Sequence, residues 1–140
     1  MADAIDTGTQ DLLATLDAGV LTLTLNRPEA RNAMSREMNQ ALQQQLAAAE
    51  FDAAVKCIVL TGAGKGFCAG GDVKGMAAKG DGTVGAMTID EAIHRQRANQ
   101  RATAGKLFKM PKPTLAALPG AAAGAGLEIG RASCRERVCT

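Results

Sequence analysis

Two apolar segments of the sequence each run directly into a loop made almost entirely of small residues. CIVLTG, at residues 57–62, opens the stretch GAGKGFCAGGDVKGM, which has six glycines in fifteen residues, and TLAALPG, at residues 114–120, is followed by AAAGAG. So much glycine disfavours a stable helix or strand and suits a backbone that makes unusual turns. The chain is therefore predicted to carry two glycine loops at the ends of two core strands.

A β-hairpin and a helix are predicted before the first of these strands. Residues 12–16 and 20–25 are apolar runs separated by the turn residues DAG, and VLTLTLN alternates leucine with threonine, as a strand does. After the break at RPEARNAM, Ser35 is a suitable N-cap for a helix whose apolar residues share one face up to Ala49. We expect the sheet to start at Leu12.

The second half of the chain repeats the alternation of strand, loop and helix. VKCIVLTG is continuously apolar, which predicts a parallel strand covered by helices on both faces, and TLAAL predicts a third core strand. KGDGTVGAM, at residues 79–87, is typical of a surface loop. TIDE, at residues 88–91, is a capping box that starts a helix running to about Lys109. This order of elements predicts an α/β layered domain.

Composition and charge exclude several classes of function. The formal charge of +2 lies in residues 129–140, whereas the preceding residues carry equal numbers of acids and bases, and the chain has no Trp or Tyr on which bases could stack. We therefore expect no nucleic-acid or membrane partner. The N-terminus has acids where a targeting peptide has bases, so we expect a cytoplasmic protein. The four cysteines form no C-x-x-C pair or His/Cys cluster, so we expect free thiols and no metal site.

The glycine loops do not match the common phosphate-binding motifs. In GAGKGF no Ser or Thr follows the lysine, and Gly62, Gly64 and Gly66 do not have G-x-G-x-x-G spacing. Two interpretations of the spacing stay open. Either the two loops direct backbone NH groups into one crevice, as an oxyanion hole requires, or the glycines serve only as tight turns.

Three segments, LTLNRPEARNAMSREM, CIVLTGAGKGFCAGGDVKGM and KPTLAALPGAAAGAGLE, resemble the enoyl-CoA hydratase/isomerase (crotonase) family over about residues 10–128. The resemblance implies an α/β spiral of β-β-α units, truncated here after roughly the first half, and a longer parent protein assembled as trimers or hexamers. The family's shared chemistry is stabilisation of an acyl-CoA enolate by two backbone NH groups. Coenzyme A enters as part of the thioester substrate, so no separate cofactor is implied.

The resemblance also assigns roles to individual residues. The two NH donors would belong to Gly71 and Ala125, with Gly124 and Gly126 permitting close approach. The nucleotide end of coenzyme A would contact Ala30 and Arg31. The residues that would line the coenzyme A crevice are Ala69, Gly70, Gly71, Asp72, Val73 and Lys74.

Glu128 is a third catalytic candidate, because family hydratases use a glutamate three residues after the second NH donor to activate water, although many members have no acid there. Residues 129–138 also fit one reading frame of a common sequencing adapter. We interpret residues 1–10 as an N-terminal extension, 11–128 as a partial crotonase domain and 129–140 as translated adapter, an artefact that begins within codon 128. Beyond Leu127 we expect neither the helix nor the strand of the family.

The predicted function of the parent protein is therefore hydration of an enoyl-CoA or isomerisation of its double bond. We expect the 140-residue chain alone to be inactive or nearly so. A different acyl-CoA reaction, such as dehalogenation or decarboxylation, and a non-catalytic binding or assembly module on the same fold both stay open. His94, the only histidine, falls on a predicted surface helix, and we expect it to be solvated rather than a general base.

Overall fold

The computed structural model describes residues 1–72 and 88–133. Its strands are β1 (Asp3–Ile5), β2 (Leu12–Asp17), β3 (Val20–Leu25), β4 (Cys57–Gly62) and β5 (Thr114–Ala117). Its helices are α1 (Arg36–Phe51), α2 (Ile89–Ala102), α3 (Ala104–Lys109) and α4 (Ala125–Ser133). The predicted loop at residues 79–87 and the candidate residues Val73 and Lys74 lie outside the described residues.

The five strands form one mixed sheet in the order β1-β2-β3-β4-β5. The first three are antiparallel to one another, whereas β3, β4 and β5 run parallel. The predicted hairpin is confirmed: Ala18 and Gly19 turn the chain with φ of 48° and 85°, the pair of positive angles that a two-residue hairpin turn favours. The sheet begins earlier than predicted, because Asp3–Ile5 of the expected N-terminal extension pairs with β2.

Helix α1 covers one face of the sheet and forms the core with it. Ser35 caps the helix as predicted, since its hydroxyl accepts a 3.0 Å hydrogen bond from the Met38 NH. The buried residues of α1 recur at helical spacing: Met38, Ala41, Leu42, Leu46 and Ala49. They belong to one apolar core with buried side chains of β2, β3 and β4.

The strands β4 and β5 are less buried than the sequence predicts. In β4, Ile58 and Leu60 are fully buried on the α1 side, but Val59 between them is only half-buried. In β5, Leu115 retains 55% of its accessible surface. A continuous apolar run predicts that helices cover both faces of the sheet. In the described residues, however, only one face is covered.

The predicted helix up to Lys109 is divided. Its capping box is present, because Thr88 and Glu91 exchange side-chain and backbone hydrogen bonds. At Thr103 the backbone leaves helical geometry (φ −112°, ψ −90°), and both the NH and the hydroxyl of the threonine donate to the carbonyl of Asn99. The consequence is two shorter helices, α2 and α3.

Helix α4 contradicts the expectation that neither a helix nor a strand follows Leu127. Its buried residues are Gly126, Ile129, Gly130 and Ser133, a spacing of three and four that places them on one helical face. The Thr114 hydroxyl at the start of β5 donates a 2.8 Å hydrogen bond to the carbonyl of Ser133. The interpretation of residues 129–140 as translated adapter stays a prediction about their origin.

In the described ranges, no helix combines the length and the apolar character that a membrane crossing requires.

Candidate active site

Three loops meet at one edge of the sheet. The first loop (residues 26–35) follows β3, the second loop (residues 63–72) follows β4 and the third loop (residues 118–124) follows β5. These strands are parallel neighbours, so their carboxyl ends lie side by side, where α/β proteins commonly bind ligands.

Backbone hydrogen bonds join the first loop to the second. The Ala69 NH donates to the Arg31 carbonyl at 3.0 Å, and the Met34 NH donates to the Gly70 carbonyl at 2.7 Å. The Asp72 NH donates in turn to the Met34 carbonyl at 3.3 Å. The two loops therefore continue the parallel pairing of β3 and β4 beyond the ends of the strands.

The second loop pairs with the third in the same way. The Phe67 NH donates to the Ala121 carbonyl at 3.0 Å, and the Ala123 NH donates to the Cys68 carbonyl at 2.9 Å. Phe67 and Cys68 are fully buried, which fixes this part of the second loop against the core. The three loops thus form one hydrogen-bonded layer.

Asn32 clamps the first loop to the second with its side chain. It is fully buried, and its Nδ2 donates 2.9 Å hydrogen bonds to the carbonyls of Ala63 and Gly66. Its Oδ1 accepts a 2.8 Å hydrogen bond from the Arg27 NH. Its φ of 55° lies in the left-handed region, which asparagine enters more readily than most residues. The sequence does not predict this role of Asn32, since its only signal is an asparagine directly after a turn.

Two glycines allow the second and third loops to approach closely. Gly70 has φ of 102°, and a Cβ on it would lie 3.1 Å from the Ala123 carbonyl oxygen. A Cβ on Gly124, which has φ of 52°, would lie 3.7 Å from the Cα of Gly70. A side chain at Gly70 would therefore be strained twice, by its φ and by its neighbour.

The predicted donors Gly71 and Ala125 directly follow these two glycines. Within residues 1–72 and 88–133, neither the Gly71 NH nor the Ala125 NH donates a hydrogen bond. Gly71 is exposed and Ala125 half-exposed, so ligand atoms have access to both. Ala125 is also the first residue of α4, where an NH has no partner within the helix.

Gly126 brings α4 against the second loop. A Cβ on Gly126 would lie 2.6 Å from both Cβ and the carbonyl oxygen of Cys68, closer than packing permits. Burial raises the pKa of the Cys68 thiol, and a hydrogen bond from Gly70 opposes this effect in part. Cys68 is therefore a packing residue, held as the neutral thiol.

The remaining candidates of the first and second loops lie on the same layer. Ala30 ends a short 3-10 turn, and Arg31 follows it in a left-handed conformation (φ 52°) with its side chain exposed. Ala69 is exposed, and Asp72 is half-buried with its Oδ2 3.1 Å from Nη1 of Arg27. The candidates that the structure describes are thus brought together, except for Glu128.

Glu128 lies one helical turn beyond Ala125 and is exposed. Its neighbours belong to an open groove of about 610 Å³ between α2, α3 and α4. The groove is lined by Arg97, Gln100, Arg101, Ala104, Gly105, Phe108, Glu128, Arg131 and Ala132. His94 is exposed on α2, as predicted. Among the described residues, no three His, Cys, Asp or Glu side chains are grouped to hold a metal ion.

Comparison with known proteins places these loops in a family. A family model described as Enoyl-CoA hydratase/isomerase matches residues 15–134. The chain is 40% identical over 118 residues to 1,2-epoxyphenylacetyl-CoA isomerase of Escherichia coli (strain K12), covering 84% of this chain and 43% of that protein. It is 35% identical over 125 residues to enoyl-CoA hydratase EchA19 of Mycobacterium tuberculosis, covering 85% and 42%.

Solved structures confirm the predicted crotonase-like α/β fold. An enoyl-CoA hydratase/isomerase from Marinobacter aquaeolei superimposes with a TM-score of 0.77 at 30% identity, over 89% of this chain and 47% of that one. An enoyl-CoA hydratase from Bacillus anthracis gives 0.74 at 28% identity, over 89% and 45%. The chain therefore spans somewhat less than half the length of the relatives it matches.

Proposed function

Because the chain belongs to the enoyl-CoA hydratase/isomerase family, we propose that the protein acts on an acyl-CoA thioester whose carbonyl oxygen is bound by the NH groups of Gly71 and Ala125. The observation that carries this proposal is the pair of unused donors. In the part of the chain that the structure describes, both NH groups lack an acceptor, and the glycines before them, Gly70 and Gly124, lie so close that a Cβ on either would be 3.7 Å from the Cα of the other.

The two donors suit a reaction that places negative charge on the thioester oxygen. Adding water to the double bond of an enoyl-CoA, or removing a proton beside the carbonyl to move that double bond, generates an enolate. A fixed NH dipole in such a site lowers the barrier by about 3 kcal/mol per donor. The Ala125 NH also lies at the N-terminus of α4, whose dipole favours an anion.

Coenzyme A would lie across the first and second loops. The exposed guanidinium of Arg31 suits a phosphate of its nucleotide end. The crevice beside the thioester would be lined by residues 69–74, of which 69–72 are described. Coenzyme A thus enters with the substrate, and the proposal requires no separate cofactor.

Glu128 is the proposed acid–base group. It lies three residues beyond Ala125, on an exposed part of α4, so its carboxylate is accessible to water. With a carboxylate here the reaction is hydration or isomerisation.

The proposal concerns the whole protein, since this chain covers about 43% of the first relative. We expect the 140-residue chain alone to hydrate crotonyl-CoA weakly or not at all. We further propose that the whole protein is a cytoplasmic homotrimer or hexamer, as the family resemblance implies.

Replacement of Ala125 by proline tests the proposed donor. Proline removes this NH and is well tolerated at the first position of a helix. Loss of one neutral hydrogen bond of about 1 kcal/mol weakens binding about fivefold. We expect Ala125→Pro to weaken binding of crotonyl-CoA to the 140-residue chain by this factor, measured by titration calorimetry.

Free coenzyme A is the matched ligand control, because it has no acyl carbonyl. Its affinity should be the same for the wild type and for Ala125→Pro, and Ala125→Ser, which retains the NH, should bind both ligands normally. An equal loss for crotonyl-CoA and coenzyme A would show that the substitution damages the loop, and no loss for either would refute the proposed role of the donor.

A further inference from the structure

The guanidinium of Arg27 lies between two carboxylates from different parts of the chain. Its Nη1 lies 3.1 Å from Oδ2 of Asp72, in the second loop, and its Nε lies 3.8 Å from Oδ2 of Asp11, before β2. The same Nη1 donates a 2.8 Å hydrogen bond to the Ala33 carbonyl. Arg27 therefore connects three segments that are not adjacent in sequence.

Asp11, at the other end of this connection from Asp72, is itself held by a hydrogen bond. Asp11 accepts a short hydrogen bond from the Ser35 hydroxyl, and the same hydroxyl accepts the Met38 NH as the cap of α1. The network thus runs from the N-terminus of α1 through Ser35, Asp11 and Arg27 to Asp72.

The network is largely shielded from water. The side chains of Arg27, Asp72 and Asp11 retain 19%, 23% and 29% of their accessible surface. Solvent screens such charges less than those of an ordinary surface ion pair, so they hold their geometry more firmly. Arg27 is also fixed at its backbone, because its NH donates to Oδ1 of the buried Asn32.

We propose that Arg27 is a positioning residue, which holds Asp72 and thereby keeps the NH of the preceding Gly71 directed at the thioester oxygen. The effect on the thioester oxygen rests on the proposed function, whereas the contacts of Arg27 with Asp72 and Asp11 do not. Asp72 is joined to the first loop by its own NH and, through its carboxylate, to Arg27. The contact of its carboxylate with Arg27 and the 3.3 Å backbone bond to Met34 both hold Asp72, the residue after Gly71, against the first loop.

Arginine is required because a lysine has a single ammonium and cannot donate in several fixed directions. Arg27→Lys should therefore keep the charge but lose part of the connection, and Arg27→Met should lose all of it. Asp72→Asn removes the same ion pair from the opposite side. The control is Arg36→Met, which removes an exposed arginine at the start of α1.

The first measurement is the ¹⁵N order parameter of the Gly71 amide in the unliganded 140-residue chain. A rigid backbone gives about 0.85 and a flexible one less than about 0.6. We expect Gly71 to change from the first value to the second in Arg27→Met and to an intermediate value in Arg27→Lys and Asp72→Asn. Amides of β3 and β4 should not change, and Arg36→Met should behave like the wild type.

The second measurement is the preference of each variant for crotonyl-CoA over coenzyme A. We expect Arg27→Met to lose about fivefold of this preference, the loss of one hydrogen bond. A Gly71 amide that stays rigid in Arg27→Met overturns the inference, and if that variant does not fold, the same result in Arg27→Lys and Asp72→Asn overturns it. A wild type with no preference for crotonyl-CoA would refute the proposed function instead, while the order parameters still decide the role of Arg27.

Discussion

Replacing Asn32 tests whether a single side chain joins the first and second loops. Asn32→Ala would remove its three side-chain hydrogen bonds, leaving the buried carbonyls of Ala63 and Gly66 and the Arg27 NH without their partner. At about 1 kcal/mol for each bond, the loss is about 3 kcal/mol. Alanine must also occupy the left-handed φ of 55°, which costs about 1 kcal/mol more.

Asn32→Gly separates these two contributions. Glycine also loses the three hydrogen bonds but adopts a positive φ without strain. We therefore expect the free energy of unfolding to fall by about 3 kcal/mol in Asn32→Gly and by about 4 kcal/mol in Asn32→Ala. Urea denaturation at equilibrium measures both, provided that the dependence on urea concentration keeps the same slope.

Gln44→Ala is the matched control, since Gln44 is an exposed polar residue of α1 and its loss should change the free energy of unfolding by less than about 0.5 kcal/mol. The reasoning is refuted if Asn32→Ala costs no more than this control. A cost for Asn32→Gly greater than that for Asn32→Ala would show that the left-handed conformation is not what asparagine supplies here.

Four further substitutions test the packing of α4, the capping of α2 and the pH dependence of stability. Gly126→Ala should lower the free energy of unfolding by about 1–3 kcal/mol because its Cβ would lie 2.6 Å from Cβ of Cys68. Gly130→Ala in the same helix, whose Cβ would meet nothing closer than 3.7 Å, should raise it by about 0.5–1 kcal/mol, and equal effects in urea denaturation would contradict this. Thr88→Ala should destabilise α2 by about 1 kcal/mol and speed amide exchange there but not in α1. Burial raises the pKa of Cys68 above its ordinary 9.0, so the thiol ionises at a lower pH in the unfolded chain than in the folded one. The free energy of unfolding of the wild type, relative to that of Cys68→Ala, should therefore fall as pH rises above about 9.0. A difference between the two proteins that does not change with pH would contradict this.

The elements that the sequence predicts well depend on local signals. The period-two pattern and DAG turn predict the hairpin, Ser35 predicts the start of α1, and TIDE predicts the capping box; each is present. A cap or a turn lies within a few residues of the groups it satisfies, so its chemistry is readable from neighbouring letters.

The features that were missed depend on contacts between distant residues. Arg27 and Asp72 are 45 residues apart, and nothing near either of them predicts their ion pair. Similarly, Leu115 belongs to an apolar run, yet its exposure depends on which elements cover β5. The roles of Gly71 and Ala125 are implied by the family resemblance, and the structure adds the close approach of the glycines before them.

The central claim is that the Gly71 and Ala125 amides bind one thioester oxygen, and an NMR titration of the 140-residue chain tests it most directly. A hydrogen bond to a carbonyl oxygen deshields the donor proton. We therefore predict that saturating crotonyl-CoA moves both amide proton resonances further downfield than saturating coenzyme A, which lacks the acyl carbonyl. If crotonyl-CoA saturates the chain and either amide proton has the same chemical shift as with coenzyme A, the two NH groups do not bind one thioester oxygen together.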